Sequence, residues 1–540
     1  MTHQAPKTPQ EHLLIKIGTS TQGISLILIG IKVLGFVEKQ VLAYYFGTGY
    51  QVDAYFVGFA LMITFWDFLR GIMDPSYLPT LIQYRAAVGE AKSWEFTSVV
   101  LNLMSLVFAA CIGVALIFTP QLVALVAPGF AGERLAVAIG ITRLMLTGAG
   151  FFAVAILTGL TLNSYKRFLL AVTDDVVFKI SGLLGLLILA RYIGIYGLGW
   201  GIALGSWVAP FIHLIGLRRH LPQYRWSLNL RLDPLRKMFR LMLPLLVGTL
   251  CIEGRRIIDN LFASTLRVGR VSALAFGYKL IEVAYVAIAE PLATVVLPYF
   301  SDLALENDQA RLTETLMTTL RVVVVIFTPL SVCLFALRYP VVRLLFERGE
   351  FDAASTQLTV TALTFYALGL VSFALDVILL RFYFSLSDTV TPAIMEVVTI
   401  ALHTGLIAVL IGTMDHRSIA LAFTLSKTLK VIILFGLLKT KLSDLQRAEN
   451  LRFLGKIAIA VGVTVLALAG YKGLVLAQGE LTGFVSMALF IVTSGSLGIL
   501  IFLGTAVILR VQEVHLVYRA IRAFVVQLFQ KIADLVRSDS

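Results

Sequence analysis

Residues 52–79 read VDAYFVGFALMITFWDFLRGIMDPSYLP, and residues 271–298 read VSALAFGYKLIEVAYVAIAEPLATVVLP. Each is apolar over more than the roughly 20 residues that cross a bilayer. Val52-Asp53-Ala54 in the first matches Val271-Ser272-Ala273 in the second, and Leu78-Pro79 matches Leu297-Pro298. The distance from alanine to proline is the same in both. This pairing points to duplicated halves, a common build of secondary transporters. It predicts a site between the halves, lined by the spans that hold these stretches and the spans just before them.

Outward from these stretches the rest of the chain is of the same kind. Its 540 residues are 58% hydrophobic and 14% charged, with mean hydropathy +0.88. A soluble globule carries about a quarter charged residues. Hydropathy predicts an all-α integral membrane protein of about fourteen helices, at 16–46, 52–84, 96–126, 134–163, 169–191, 195–217, 238–266, 270–301, 312–337, 354–386, 391–413, 417–438, 452–477 and 482–510. The repeat divides them into an N-terminal lobe at 1–225 and a C-terminal lobe at 226–440, followed by two further spans at 441–510. Residues 511–540 alternate apolar and basic positions, which predicts an amphipathic helix on the membrane surface.

The formal net charge is +13. The basic residues cluster between apolar runs, as with Arg218, Arg219, Arg225, Arg231 and Arg236 after span six, so no nucleic-acid partner is expected. Lys439, Lys441, Arg447 and Arg452 follow span twelve, while Gly47 to Val52 carries no lysine or arginine. The positive-inside rule then puts both termini in the cytoplasm. Cys111, Cys251 and Cys333 lie in apolar runs and read as packing residues. No metal and no cofactor are expected.

Charges inside the spans need a partner or a function, because each costs about 2.5–3.5 kcal/mol on insertion scales. Span one holds Lys32, Glu38 and Lys39, and span two holds Asp67, Arg70 and Asp74 on one face. Glu253, Arg255, Arg256 and Asp259 fall within two turns of span seven, and Lys279 and Glu282 lie one turn apart in span eight. Asp174, Asp175 and Lys179 lie in span five, and Asp376 and Arg381 in span ten. Helical spacing alone would pair Asp67 with Arg70 and Arg255 with Asp259. Across spans one, two, seven and eight the unmatched excess is basic, which suits an anionic ligand such as pyrophosphate. Lys32, Lys279, Arg255, Arg256 and Arg70 are the candidate binding residues. Glu38, Lys39, Asp53, Asp67, Asp259 and Glu282 are the candidate gating or charge-pair residues.

At these residues the chain resembles a known family. Lys32-Val-Leu-Gly-Phe36, Tyr45-Phe46-Gly47, Asp53-Ala-Tyr-Phe-Val57 and Leu78-Pro79 resemble the opening of the MviN/MurJ-type lipid II flippases. Ala127-Pro-Gly-Phe130, Leu162-Asn-Ser164, Phe262-Ala-Ser264, Leu345-Phe-Glu-Arg-Gly-Glu-Phe351 and Tyr383-Phe-Ser385 continue the match in order. The departures are Lys32 and Lys279 at typical arginines, Glu38 at another, and Phe65-Trp66-Asp67 near an arginine pair.

The resemblance implies two pseudo-symmetric lobes around a central cationic cavity, with the last two spans forming a groove for a polyprenyl tail. It implies a flippase that moves a polyprenyl-pyrophosphate-linked saccharide to the outer leaflet of the bacterial inner membrane by alternating access. Lipid II is the expected substrate, and another lipid-linked oligosaccharide or a non-transporting scaffold role is the alternative. Membrane lipids and envelope glycan synthesis proteins are the expected partners. The chain has no Gly-x-x-x-x-Gly-Lys-Ser/Thr phosphate loop, so the membrane potential or a coupled cation is the expected drive.

Overall fold

A computed structural model describes residues 30–306, 308–442, 445, 447–477 and 483–519, and among them there is no strand. Helix α1 covers 30–46. It is followed by α2 (Tyr50–Val88), α3 (Glu90–Ile117), α4 (Thr119–Val126), α5 (Gly132–Ser164), α6 (Phe168–Ala171), α7 (Thr173–Leu184), α8 (Ala190–Ile193), α9 (Tyr196–Leu217) and α10 (Asp233–Ser264). The remainder forms α11 (Arg270–Leu305), α12 (Gln309–Ala336), α13 (Arg338–Phe346), α14 (Ala353–Ser385), α15 (Val390–Met414), α16 (Arg417–Leu437), α17 (Arg447–Ala477) and α18 (Phe484–Ile508).

Twelve of the described helical segments are long and apolar enough to cross a membrane. Spans one and seven are the other two: α1 is described only from Gly30, and α10 is interrupted by its own charges. Residues 512–519 are helical, and the rest of the expected tail helix, 520–540, lies outside the described residues.

Two expected spans are not single helices. Span three breaks at Phe118, because Pro120 in the first turn of α4 has no N–H to continue the ladder. Span five is built from α6, α7, a π-helical segment (Gly185–Leu189) and α8. Its irregularity lies where it presses on α9. A Cβ on Gly185 would lie 2.6 Å from the Cα of Gly201.

The chain forms two compact units. The first comprises Met1–Ala275 with Arg348–Asp352, and the second Phe276–Glu347 with Ala353–Ser540. In the first, α2 packs between α5 and α10, α5 packs on α9, and α9 on α7. The seventh span, α10, therefore lies against α2. In the second, α16 packs on both α14 and α15, α12 packs on α14, and α17 pairs with α18.

Lipid tails are as apolar as leucine, so burial alone does not hold membrane helices together. Small residues that let backbones approach do more. Gly197, Gly201 and Gly205 repeat every fourth residue along α9, and each would place a Cβ against backbone or side-chain atoms of the α7–α8 segment. At Gly201 that atom would sit 2.9 Å from the Gly185 Cα and 3.1 Å from the Gly182 Cα. Backbone cannot yield there as a side chain would. Gly201→Val is expected to cost about 3 kcal/mol, lowering the thermal midpoint and the yield of detergent-extracted protein. Gly113→Ala, at a position with open space around it, is expected to leave both unchanged.

Candidate functional site

Three groups of charged side chains stand out in the first unit. Near the start of the chain, α1 buries Glu38 and Lys39. The Glu38 carboxylate accepts from Lys39 Nζ (2.8 Å) and from Lys179 Nζ of α7 (3.4 Å). Lys39 Nζ also donates to the Tyr55 hydroxyl and sits 4.8 Å from that ring's centroid. Glu38 thus neutralises Lys39 inside the unit. Lys32, two turns earlier, is exposed and has no ion-pair partner among the described residues.

The second group joins α2, α7 and α10. Arg256 donates from Nη1 to Glu253 (2.7 Å) on its own helix and to Asp67 of α2 (3.2 Å). One turn along α2, Arg70 reaches Asp174 (3.1 Å) and Asp175 (3.4 Å) of α7. Arg255 pairs with Asp259 at 2.8 Å. The helical pair Arg255–Asp259 therefore forms, while Asp67 and Arg70 take partners from other helices.

Exposure separates these groups. The side chains of Glu38, Asp174 and Glu253 are 1%, 3% and 8% exposed, whereas Arg70, Arg256 and Asp67 are 38%, 36% and 37% exposed. Arg256 and Arg70 are the partly open cations, and a ligand can reach them without unpacking the core. Span five changes the charge count. Lys32, Lys39, Arg70, Lys179, Arg255 and Arg256 stand beside Glu38, Asp67, Asp74, Asp174, Asp175, Glu253 and Asp259 in α1, α2, α7 and α10. The basic surplus expected over spans one, two, seven and eight is not found: the residues named there balance, six basic against six acidic, and the fold adds Asp174 and Asp175 at Arg70.

The third group is sealed. Asp53, in the first turn of α2, is fully buried. Its carboxylate accepts from Arg134 Nη2 (2.8 Å) and from the backbone N–H groups of Gly269 (2.7 Å) and Ser272 (2.8 Å). The latter two open α11, whose N-terminal dipole favours an anion. Asp53 also lies near the positive end of its own helix. Ser272 is its counterpart in the repeat, and both lie in the first unit. At the same end of α2, the Glu350 N–H donates to the Tyr44 carbonyl (2.9 Å). Gly47 and Gly349 both hold positive φ there, and neither leaves room for a Cβ.

In the second unit Lys279 Nζ pairs with Glu282 at 2.8 Å. Arg381 approaches Glu290 at 3.7 Å. Asp376 has partners that the sequence reading does not name: Lys427 and Lys430 of α16 meet Asp376 of α14 and Glu396 of α15. The rule that flagged Lys279 would have found them, since two lysines one turn apart in an apolar span are as costly. Outside the spans, burial works against the charge of Asp388, but the Lys441 ammonium with the N–H and hydroxyl of Thr391 prevails. Its carboxyl is held down at about 2.

Comparison with known proteins identifies the family and the fold. The family model described as lipid II flippase MurJ matches residues 42–493. The chain belongs to the MurJ family. A probable lipid II flippase MurJ of Buchnera aphidicola subsp. Schizaphis graminum is 26% identical over 436 residues, covering 78% of this chain and 85% of the relative. A solved lipid II flippase MurJ in an inward closed conformation superposes with TM-score 0.75 at 20% identity, over 90% of this chain and 98% of that one. An inward-facing multidrug resistance transporter of the MATE family superposes at 0.67 and 15% identity, over 77% and 96%. This MurJ-family chain is a multi-pass membrane transporter and not an enzyme.

Proposed function

We propose that this chain flips lipid II from the cytoplasmic to the outer leaflet of a bacterial inner membrane, with both termini in the cytoplasm. The family match over residues 42–493 carries the reading, and the charges of the first unit supply its chemistry. The lipid's pyrophosphate docks on Arg256, with Arg70 and Arg255 beside it and Lys32 as a cation free to approach. Asp67 and Glu253 hold Arg256 until the ligand arrives, so the incoming anion exchanges one acidic partner for another. Lys279 is the second unit's candidate cation for the same kind of ligand. Asp53 is a latch: exposing the site to the outer side requires its contacts to part and then re-form. Moving two negative charges outward through an inside-negative potential releases roughly 4–5 kcal/mol per 100 mV. Proteins of envelope glycan synthesis are the expected partners.

A second reading is a flippase for another lipid-linked oligosaccharide. It is favoured by Lys32 and Lys279, which offer point charges where forked arginines are typical of the family. Complementation of a bacterium depleted of its own lipid II flippase separates the two. Rescue by the wild-type chain is expected, with loss of rescue in Lys279→Ala at equal expression. A well-inserted wild type that fails, expressed together with its own envelope synthesis proteins, would move the assignment to the second reading.

A further inference from the structure

The connector from α9 to α10 takes no part in the site above. It starts at His220, whose ring stacks on Tyr165 with centroids 4.2 Å apart and whose Nδ1 lies 2.6 Å from an oxygen of Glu90, the first residue of α3. From there the chain climbs along α3. The Arg225 N–H donates to Ser98 Oγ (3.2 Å), the Tyr224 hydroxyl to Asn102 Oδ1 (2.6 Å), and Asn102 Nδ2 to the Ser227 carbonyl (3.0 Å). Ser98 and Asn102 are buried polar residues in an uncharged stretch of helix, and the connector gives them partners.

These bonds set the depth of the connector. Glu95 is the last charged residue of α3. Asn102 lies seven residues beyond it, about 10 Å along a helix. Residues 224–229 form no regular element. Irregular backbone facing lipid does not occur within the hydrocarbon region. The segment therefore lies at the boundary of headgroups and acyl chains, where amphipathic surface helices sit about 5–10 Å deep. Its side chains suit that level. Tyr224, Trp226, Leu228 and Leu230 alternate with Arg225, Ser227, Asn229 and Arg231, and an extended chain sends alternate residues to opposite sides. Trp226 is 67% exposed and Leu230 61%, and tryptophan favours the membrane interface. Arg218, Arg219, Arg225 and Arg231 are exposed, and none has an ion-pair partner among the described residues. No aspartate or glutamate lies between 218 and 232.

A soluble acidic partner would match the arginines but not the bare tryptophan and leucines at membrane depth. A phospholipid matches both, because a guanidinium forks onto a phosphate and the apolar side chains meet its acyl chains. We infer that the connector is a binding site for an anionic phospholipid, with Trp226, Leu228 and Leu230 set in the acyl boundary and Arg225 and Arg231 on the phosphate. The leaflet is the cytoplasmic one in the orientation proposed above. Nothing else in the assignment depends on the flipping activity. An arginine close to an anionic surface contributes about a fivefold gain in affinity, which sets the size of the expected preference.

Tryptophan fluorescence of the purified full-length protein in phosphatidylcholine vesicles tests this without any lipid-linked saccharide. The signal of Trp226 is the emission of the wild type less that of Trp226→Phe. Lipid brominated near the headgroup end of its acyl chains is expected to quench it more than lipid brominated near the chain ends. Brominated phosphatidylglycerol is expected to bind beside Trp226 about fivefold more tightly than brominated phosphatidylcholine. The double variant Arg225→Gln, Arg231→Gln, at exposed positions, is expected to bring that ratio close to one. The same loss of charge at the exposed Arg267 and Lys472, as Arg267→Gln with Lys472→Gln, is expected to leave it unchanged. A Trp226 signal that no brominated lipid quenches, and that aqueous acrylamide does, would place the connector in water, open to a soluble partner, and overturn the inference. Equal quenching by the two lipids in the wild type, or a preference that survives the loss of Arg225 and Arg231, would overturn it as well.

Discussion

Arg256→Ala is expected to abolish rescue of a flippase-depleted strain. Arg256, like Arg70, is partly open and held by two carboxylates, here Asp67 and Glu253. Hydrogen bonds to a charged partner contribute about 1.5–3 kcal/mol each, and a forked guanidinium offers a pyrophosphate two of them. Losing both removes about 3 kcal/mol or more of ligand binding, roughly a 100-fold loss of affinity. The same substitution leaves Asp67 and Glu253 without their guanidinium, so it is also expected to lower the amount of folded protein. The triple variant Arg256→Met, Asp67→Asn, Glu253→Gln removes that second effect, since neither carboxylate is left facing a missing guanidinium. Protein level is expected to recover in the triple variant while rescue stays absent. Recovery of both would reduce Arg256 to an internal ion pair. Asp67→Asn alone is informative in the other direction. It frees one tooth of the guanidinium and is expected to tighten binding of the pyrophosphate lipid several-fold, read as the midpoint of a binding titration in detergent.

The helices were legible in the sequence because the bilayer imposes one simple demand, a long apolar run. The expected span 134–163 is α5 (Gly132–Ser164), and 417–438 is α16 (Arg417–Leu437). Breaks inside a span leave a weaker trace. Pro120 was visible as a residue, but the π-helical turn at Gly185 follows from contact with Gly201, which no local pattern reports. The same holds for charge. The residues that carry intramembrane charge could be named, because each is costly in any fold. Their partners could not. Arg255–Asp259 followed from helical spacing, whereas Asp67 pairs with Arg256 across 189 positions and Arg70 with Asp174 across 104. Helical periodicity assigns a face but not the neighbour it meets, so spacing alone pairs Asp67 with Arg70. The repeat did announce that Asp53 and Ser272 are counterparts. That one carboxylate would accept the other's N–H is a fact of the tertiary fold.

Asp53→Ala is expected to be the most damaging single substitution for stability. It leaves Arg134, with its side chain 10% exposed, unpaired, and strips an acceptor from the buried N–H groups of Gly269 and Ser272. Breaking a buried pair by removing one partner costs about 3–5 kcal/mol, and the unsatisfied backbone donors add to it. A large fall in thermal midpoint and in membrane-extracted protein should follow. Asp53→Asn keeps one carbonyl oxygen but turns an amide toward donors, so its loss should be intermediate. Stability alone does not distinguish a latch from a brace. The double variant Asp53→Ala, Arg134→Met removes the orphaned guanidinium, and its protein level is expected to recover in part. If the contacts of Asp53 must part and re-form in each cycle, rescue will remain absent in that double variant even where its level matches a functional control. A brace has no such requirement. Rescue that returns in step with protein level would assign Asp53 to folding and leave the latch to another group.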